Sequence, residues 1–199
     1  MFRKILIVSA ITSSAFISPI SIAVADTVDS GLYLTAGKGK GFENSVHGSI
    51  NGTEFSTTAQ ITDANEIGIG YESANNWRFE AKYTKANSDV DSVTVDGINY
   101  DIHMNGSGYG VQFAVAYDLE NDSKFIPYLG GSTKISWSDD VDGISTSYGV
   151  DIGISAPFFD YLEFWGAISL SILPDQTNKD VSYDGTISSG LSTGLRIRL

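Results

Sequence analysis

Hydrophobic and polar residues alternate with a period of two along most of the chain after Asp26, which is the pattern of β-strands. Between Tyr109 and Tyr117, large apolar residues occupy every second position, and Gly, Gln and Ala occupy the positions between them. No comparable stretch follows the 3.6-residue period of an amphipathic helix. The pattern predicts an all-β protein of eight strands, with cores near residues 31–37, 65–72, 76–84, 108–118, 124–137, 147–155, 161–172 and 187–199.

The connections between these strands alternate in length. Short connections lie near residues 72–76, 118–123 and 156–160, and long ones near 38–64, 85–107, 138–146 and 173–186. Each long connection contains an Asn-Gly or Asp-Gly pair, which favours a two-residue type I′ hairpin turn. These pairs are Asn51-Gly52, Asp96-Gly97, Asp142-Gly143 and Asp184-Gly185. The alternation predicts an up-and-down, antiparallel arrangement with long hairpin loops at one end and short turns at the other.

The first 25 residues have the features of a cleaved signal peptide. Arg3 and Lys4 form a positive start, residues 5–22 are mostly apolar, and Ala23-Val24-Ala25 matches the small-residue cleavage pattern. We therefore expect residues 1–25 to be a signal peptide and residues 26–199 to form one exported β-barrel domain. After Asp26, no run approaches the roughly 18 consecutive apolar residues of a membrane-spanning helix.

Composition excludes several functional classes. The 199 residues include 24 acidic and 12 basic side chains, for a net charge of -12 at pH 7, so nucleic-acid phosphates would be repelled. The absence of Cys excludes disulfides, a thiol enzyme and a lipoprotein anchor. The two histidines, His47 and His103, both lie in predicted long loops. We therefore expect no enzymatic activity, no catalytic or metal-binding residues and no cofactor.

The small and polar face of the strands is expected to point into the barrel. An eight-stranded barrel is only wide enough for side chains to fill, so charges of both signs on this face should pair with one another. The apolar face would then point outward to lipid, which makes this a transmembrane barrel. The expected interior polar network consists of Arg78, Glu80, Lys82, Gln112, Lys134, Asp151, Glu163 and Arg196.

Aromatic residues on the apolar face lie toward the strand ends. A tilted strand climbs roughly 2.5 Å per residue, so the segment from Tyr109 to Tyr117 covers about 20 Å. That length is close to the ~25 Å apolar band of an outer-membrane barrel, which has an aromatic girdle at each interface. The expected girdle residues are Tyr71, Trp77, Tyr83, Tyr109, Tyr117, Phe125, Trp137 and Tyr148.

Three segments carry a resemblance to a known superfamily: Gly31 to Gly37, Ile126 to Gly131, and the alternating end from Leu191 to Leu199. In these segments the chain resembles the small eight-stranded outer-membrane β-barrels, which include the OmpA membrane domain, OmpX and opacity-like porin-type proteins. The resemblance implies an outer-membrane location in a Gram-negative cell and insertion by the outer-membrane assembly machinery, which reads the last strand. That strand usually ends on an aromatic residue, whereas this chain ends on Leu199.

Three functions are compatible with the pattern. The first is a non-enzymatic outer-membrane protein with a structural or surface-interaction role, such as adhesion or envelope protection, carried by long extracellular hairpin loops. Its partners would be outer-membrane lipid and lipopolysaccharide, together with an unknown surface ligand. The second is a minor porin-like channel for ions or small solutes. The third is a soluble exported barrel that turns its apolar face inward and binds an apolar ligand.

Overall fold

The alternating segments form one antiparallel β-sheet in the computed structural model, which describes residues 30–119, 123–138, 141–178 and 181–199. The expected signal peptide, residues 1–25, lies outside the described residues. No helix in the described ranges is long and apolar enough to cross a membrane. The strands are β1 (Gly31–Gly41), β2 (Asn44–Ile50), β3 (Thr53–Glu72), β4 (Trp77–Val95), β5 (Ile98–Asp118), β6 (Ile126–Ser138), β7 (Val141–Phe159), β8 (Leu162–Leu173), β9 (Gln176–Asn178), β10 (Val181–Tyr183) and β11 (Thr186–Arg198).

Eight of these strands form a ring. The pairing runs from β1 through β11, β8, β7, β6, β5 and β4 to β3, and β3 pairs again with β1. Each ring strand is therefore hydrogen-bonded on both sides. The eight predicted strand cores fall in these eight strands in the predicted order, so the all-β, antiparallel prediction is confirmed.

The ring closes with a stagger. Paired positions followed from Ile69 through β4, β5, β6 and β7 reach Ile172 on β8. Paired positions followed from Ile69 in the other direction, through β1 and β11, reach Leu162 on β8. The two end points on β8 are therefore ten residues apart. A staggered ring of this kind requires strands that tilt against the ring axis, typically by about 35–45°.

Most of the segments predicted as long loops are continuations of strands. β3, β4 and β5 are 20, 19 and 21 residues long, well beyond their predicted cores. Beyond the ring, the far halves of these three strands pair with one another, and the sheet continues from β3 to β2, from β2 to β10 and from β10 to β9. We call this second region, made of residues 44–62, 88–104, 176–178 and 181–183, the hairpin extension.

Two of the four predicted hairpin turns are confirmed. Asn51-Gly52 and Asp96-Gly97 have positive φ at both positions, 51° and 81° in the first pair and 49° and 79° in the second. This backbone defines a type I′ turn, and these pairs join β2 to β3 and β4 to β5.

The other two turn predictions are wrong. Asp142-Gly143 lies inside β7, because Val141 already pairs with Ser138. Asp184-Gly185 joins β10 to β11, but β10 pairs with β2 and β9 rather than with β11. The edge of β2 offers hydrogen-bonding partners at this point, and β10 takes them, so a local turn signal does not decide the pairing.

The two regions have different interiors. Inside the ring, the buried side chains are mainly charged, Ser or Thr. Inside the hairpin extension, the buried residues are mainly apolar: one cluster contains Ala59, Val90, Val93 and Met104, and another contains Val46, Phe55 and Tyr183. The polar interior of the ring is therefore the distinctive feature of the fold.

Candidate functional site

The structure places the eight residues of the expected polar network inside the ring. Each is at most 6 % exposed, since alternation along the tilted strands turns every second side chain inward. They come from six strands, β4 to β8 and β11, and are Arg78, Glu80, Lys82, Gln112, Lys134, Asp151, Glu163 and Arg196.

Four of these residues meet in one cluster. The carboxylate of Glu80 accepts from Lys82 Nζ at 2.6 Å and from Arg196 Nη2 at 3.1 Å. The other terminal nitrogen of Arg196 pairs with Glu163. Tyr33 donates its hydroxyl to Glu80 at 2.8 Å. We call Tyr33, Glu80, Lys82, Glu163 and Arg196 the central cluster; it holds two cations against two carboxylates, which is how a buried charge is tolerated.

The remaining four predicted residues lie elsewhere on the interior wall. Arg78 pairs with Asp118 near the short turns. Gln112 and Lys134 are directly opposite each other on β5 and β6. Asp151 lies on β7 and is fully buried.

Three interior carboxylates are absent from the expected network: Glu66, Glu72 and Asp118, all at most 4 % exposed. Asp118 binds Arg78, and Glu72 accepts from Arg198 at 3.2 Å. Their positions follow from the alternation that places Ile67, Ile69 and Tyr71 outside. The pattern therefore contained the signal that identifies them.

Large aromatic rings occupy a further part of the interior. Tyr33 packs over Gly70, Tyr128 over Gly153, and Trp165 between Gly37 and Gly194; a Cβ at any of these glycines would overlap the ring. The guanidinium of Arg196 lies 4.5 Å from the Tyr33 ring, and that of Arg78 lies 5.3 Å from Tyr128. Each glycine thus provides the space for one aromatic ring, which sequence alternation alone does not predict.

The expected girdle residues lie on the outer face. Seven are exposed and Tyr109 is half-buried; the eight are Tyr71, Trp77, Tyr83, Tyr109, Tyr117, Phe125, Trp137 and Tyr148. Toward the hairpin extension, the ring of Tyr109 stacks with Tyr83 at 6.3 Å and with Trp137 at 6.4 Å. Toward the short turns, Trp77 contacts Tyr117 at 5.1 Å. The structure thus brings five of the eight into two groups at different levels.

A further aromatic group at the short-turn end was not expected. Phe158, Phe159, Tyr161 and Phe164 are each at least 48 % exposed and contact one another around the turn between β7 and β8. The concentration of aromatic residues in this turn is the sequence feature that could have predicted the group.

The two histidines lie on the outer face of the hairpin extension. His103 contacts Asp91 at 3.2 Å, and both side chains are more than 80 % exposed. His47 and Ser49 lie on the same side of β2, but the hydroxyl of Ser49 shares a 2.8 Å hydrogen bond with the hydroxyl of Ser182. Among the described residues, no group of three His, Asp or Glu side chains could hold a metal ion.

Comparison with known proteins identifies the fold. No protein-family profile matches the chain, and no curated sequence does. Among solved structures, Neisserial surface protein A (NspA) is similar over 86 % of this chain and 99 % of its own, with a TM-score of 0.57 and 19 % identity. The resemblance to small outer-membrane β-barrels is thereby confirmed at the level of the fold.

Two further similarities are weaker. The outer-membrane protease OmpT from Escherichia coli matches 90 % of this chain and 99 % of its own, with a TM-score of 0.45 and 6 % identity. The β domain of the Bordetella autotransporter BrkA matches 85 % and 99 %, with a TM-score of 0.30 and 8 % identity.

Proposed function

We propose that the chain is a non-enzymatic outer-membrane protein, whose eight-strand ring is a closed transmembrane barrel and whose hairpin extension is its surface-interaction module. The observation that carries this proposal is the reversed polarity of the ring. Its outward face exposes large apolar side chains, such as Ile67, Phe113 and Ile152, each more than half exposed, while charges fill its interior. Lipid favours that arrangement and water opposes it.

The ring also meets the backbone requirement of a bilayer. Every spanning strand must pair on both sides, because hydrocarbon offers no partner to a free N–H or C=O group. The continuous pairing from β1 through β11 back to β3 leaves no open edge within the ring. Residues 1–25 would direct export to this membrane, and the assembly machinery would insert the ring.

The hairpin extension supports a role at the cell surface. Its buried residues are mainly apolar, and its outward face carries polar residues such as Asp89 and Asp91, as expected in water. Its own apolar clusters make it a structured body, able to present a fixed surface to another molecule. An unknown surface ligand is therefore assigned to this region.

The other candidate functions find less support. A channel requires a continuous water path, whereas the ion pairs of the central cluster and the ring of Trp165 occupy part of the ring interior. A carrier of apolar ligands requires an apolar interior, and this one is charged. A hydrolase requires a base that activates a nucleophile, but the Ser49 hydroxyl is paired with Ser182.

The proposal is tested by expressing the full chain and isolating outer membranes. We expect the protein in that fraction, with a gel mobility that shifts on boiling, and with an N-terminus at Asp26. Planar bilayers should show no steady conductance. Recovery from the periplasm as a soluble protein would overturn the membrane assignment, and stable single-channel steps would replace the structural role with a pore.

The surface role has a separate test. Whole cells that display the protein are compared with cells that display a variant whose hairpin tips, Asn51-Gly52 and Asp96-Gly97, carry inserted epitopes. Antibody binding to both epitopes on intact cells is expected. Labelling only after the outer membrane is permeabilised would place the extension on the periplasmic side and contradict the proposal.

A further inference from the structure

A row of cationic side chains lies on the outer face of the ring, where the outward apolar residues end. Lys38 on β1 is opposite Asn65 on β3, and Asn65 is opposite Lys85 on β4. Neighbouring strands are about 4.8 Å apart, so the two lysine backbones are about 10 Å apart with only Asn65 between them. Lys40, two residues further along β1, points to the same side. We call Lys38, Lys40, Asn65 and Lys85 the lysine row.

The lysine row continues an aromatic level of the barrel. Lys85 is paired with Tyr109, and Tyr109 with Trp137, so all three share one register row. The Lys85 ammonium lies 5.7 Å from the centre of the Tyr109 ring. Aromatic belts lie at the level of the lipid headgroups. Because the strands tilt, the row is inclined, and Lys38 lies about 6 Å closer to the short-turn end than Lys85. Lys40, two residues further along β1, offsets most of that difference. In a membrane-spanning barrel, the ammonium groups of Lys85 and Lys40 therefore lie at the headgroup level, and the long side chain of Lys38 can reach it.

The charge of the row contrasts with the rest of the molecule. The protein has a net charge of -12. Among the described residues, the exposed lysines are Lys38, Lys40, Lys85 and Lys124, and three of these four belong to the row. Such a concentration of positive charge on an acidic protein creates a local site for an anion.

One carboxylate accompanies the row. Asp63 lies 4.0 Å from the ammonium of Lys38 and accepts a hydrogen bond from Asn65 Nδ2 at 2.8 Å. Three ammonium groups against one carboxylate leave a positive excess. The side chain of Lys38 stays 74 % exposed despite this contact, so its ammonium remains accessible to a ligand.

We propose that the lysine row binds the phosphate groups of a phosphorylated glycolipid in the outer leaflet. This inference rests on the proposed membrane-spanning barrel, because the barrel brings the row to headgroup level. Lysine presents three donors and a compact charge to a phosphate oxygen. The carboxylate of Asp63 repels the phosphate and so limits the affinity of the lysine row for the lipid. The apolar outer face below the row, at Ala36, Ile67 and Tyr83, contacts the acyl chains of the same lipid.

The test measures lipid binding by the full chain in detergent micelles with native mass spectrometry. The probes are diphosphoryl lipid A, the same lipid without phosphates, and inorganic phosphate. The double variant Lys38→Gln/Lys85→Gln should bind the diphosphoryl lipid about 20-fold more weakly, because each lysine near an anionic headgroup contributes roughly a fivefold factor. Lys124→Gln, with the same chemical change at the short-turn end, should leave binding within about twofold of wild type, since it lies far from the row.

Asp63→Asn sharpens the test, because removal of the opposing carboxylate should strengthen binding by about fivefold. Unchanged binding by the double variant, or equal binding of the dephosphorylated lipid, would overturn the proposal. Displacement of the lipid by millimolar inorganic phosphate would assign the site to the free anion instead.

A separate measurement tests the proposed membrane-spanning barrel. The boiling-dependent gel shift and the membrane fraction are recorded for the same variants. Loss of the gel shift in wild type would contradict the membrane-spanning ring, whereas the micelle titration still reports whether the lysine row prefers phosphorylated lipid.

Discussion

The two halves of β4 place their apolar side chains on opposite faces of the same strand. In the ring half, Phe79 and Tyr83 point outward while Glu80 and Lys82 are buried. In the extension half, Asp89 and Asp91 lie on the outer side and Val90 is buried. The change takes place near Lys85, in the register row of Tyr109 and Trp137.

The difference between the halves supports the proposed membrane-spanning ring. Burial of apolar area drives folding in water, so the extension has an ordinary apolar core. Lipid is as apolar as the side chains that face it, so the ring gains nothing from hiding them and instead pairs its charges inside. In the proposed membrane-spanning barrel, one strand therefore crosses from lipid to water, and the lysine row lies on the boundary.

The largest expected effect comes from breaking the charge pairing inside the ring. Arg196→Leu leaves Glu80 and Glu163 without their shared cation, and we expect a loss of about 3–5 kcal/mol in the free energy of unfolding. The measurement is urea unfolding in lipid vesicles, followed by gel mobility. Adding Glu163→Gln to this variant should recover part of the loss. A cost as small as that of Arg198→Leu, at the partly exposed pair with Glu72, would argue against a dry interior.

The next largest effect is expected from a charge introduced on the outer face of the ring. Ile152→Arg places a cation in the apolar band, and we expect a cost of about 2–4 kcal/mol in vesicles. Asn87→Arg, on the outer side of β4 immediately before the extension, should change the stability by less than about 0.5 kcal/mol, because it remains in water. Equal costs for the two substitutions would show that both regions face the same solvent.

Matched isosteric substitutions on β4 compare the two interiors directly. Val90→Thr puts an unpaired hydroxyl into the apolar cluster of the extension, with an expected cost of about 1–3 kcal/mol. Thr84→Val removes a buried ring hydroxyl that makes no hydrogen bond to another described residue, so it should be neutral or stabilising. Unfolding of the two variants in lipid vesicles measures the two costs. Equal destabilisation would contradict the difference between the apolar interior of the extension and the polar interior of the ring.

The smallest effect is confined to alkaline pH. Burial in the extension raises the pKa of Tyr183 from 10.0 to about 12, because the ionised phenolate loses hydration. The neutral hydroxyl thus contributes stability that is present below pH 10 and is lost as the pH rises toward 12. Proteolysis of the extension should therefore increase more over this range in wild type than in Tyr183→Phe. Identical profiles would assign the alkaline sensitivity to other groups.

The alternation of residues was sufficient to predict the ring strands and their inward side chains. Arg78, Glu80 and Lys82 alternate with Trp77, Phe79 and Ala81, and this period follows directly from the pleat of a strand. The same rule would have included Glu66 and Glu72. The turns at Asn51-Gly52 and Asp96-Gly97 were also predictable, because their positive φ values are local preferences of those residues.

The pairings were decided only by the tertiary structure. Asp184-Gly185 has the local chemistry of a hairpin, yet β10 pairs with β2, because the ring brings that free edge within reach. Likewise, Arg196 meets Glu80, 116 positions away, because the pairings through β1 and β3 bring β11 near β4. The sequence by itself determined which side chains point inward, since that depends on neighbours one and two residues away. The closed ring determined which of them touch, since contact depends on register between strands that are distant in the chain.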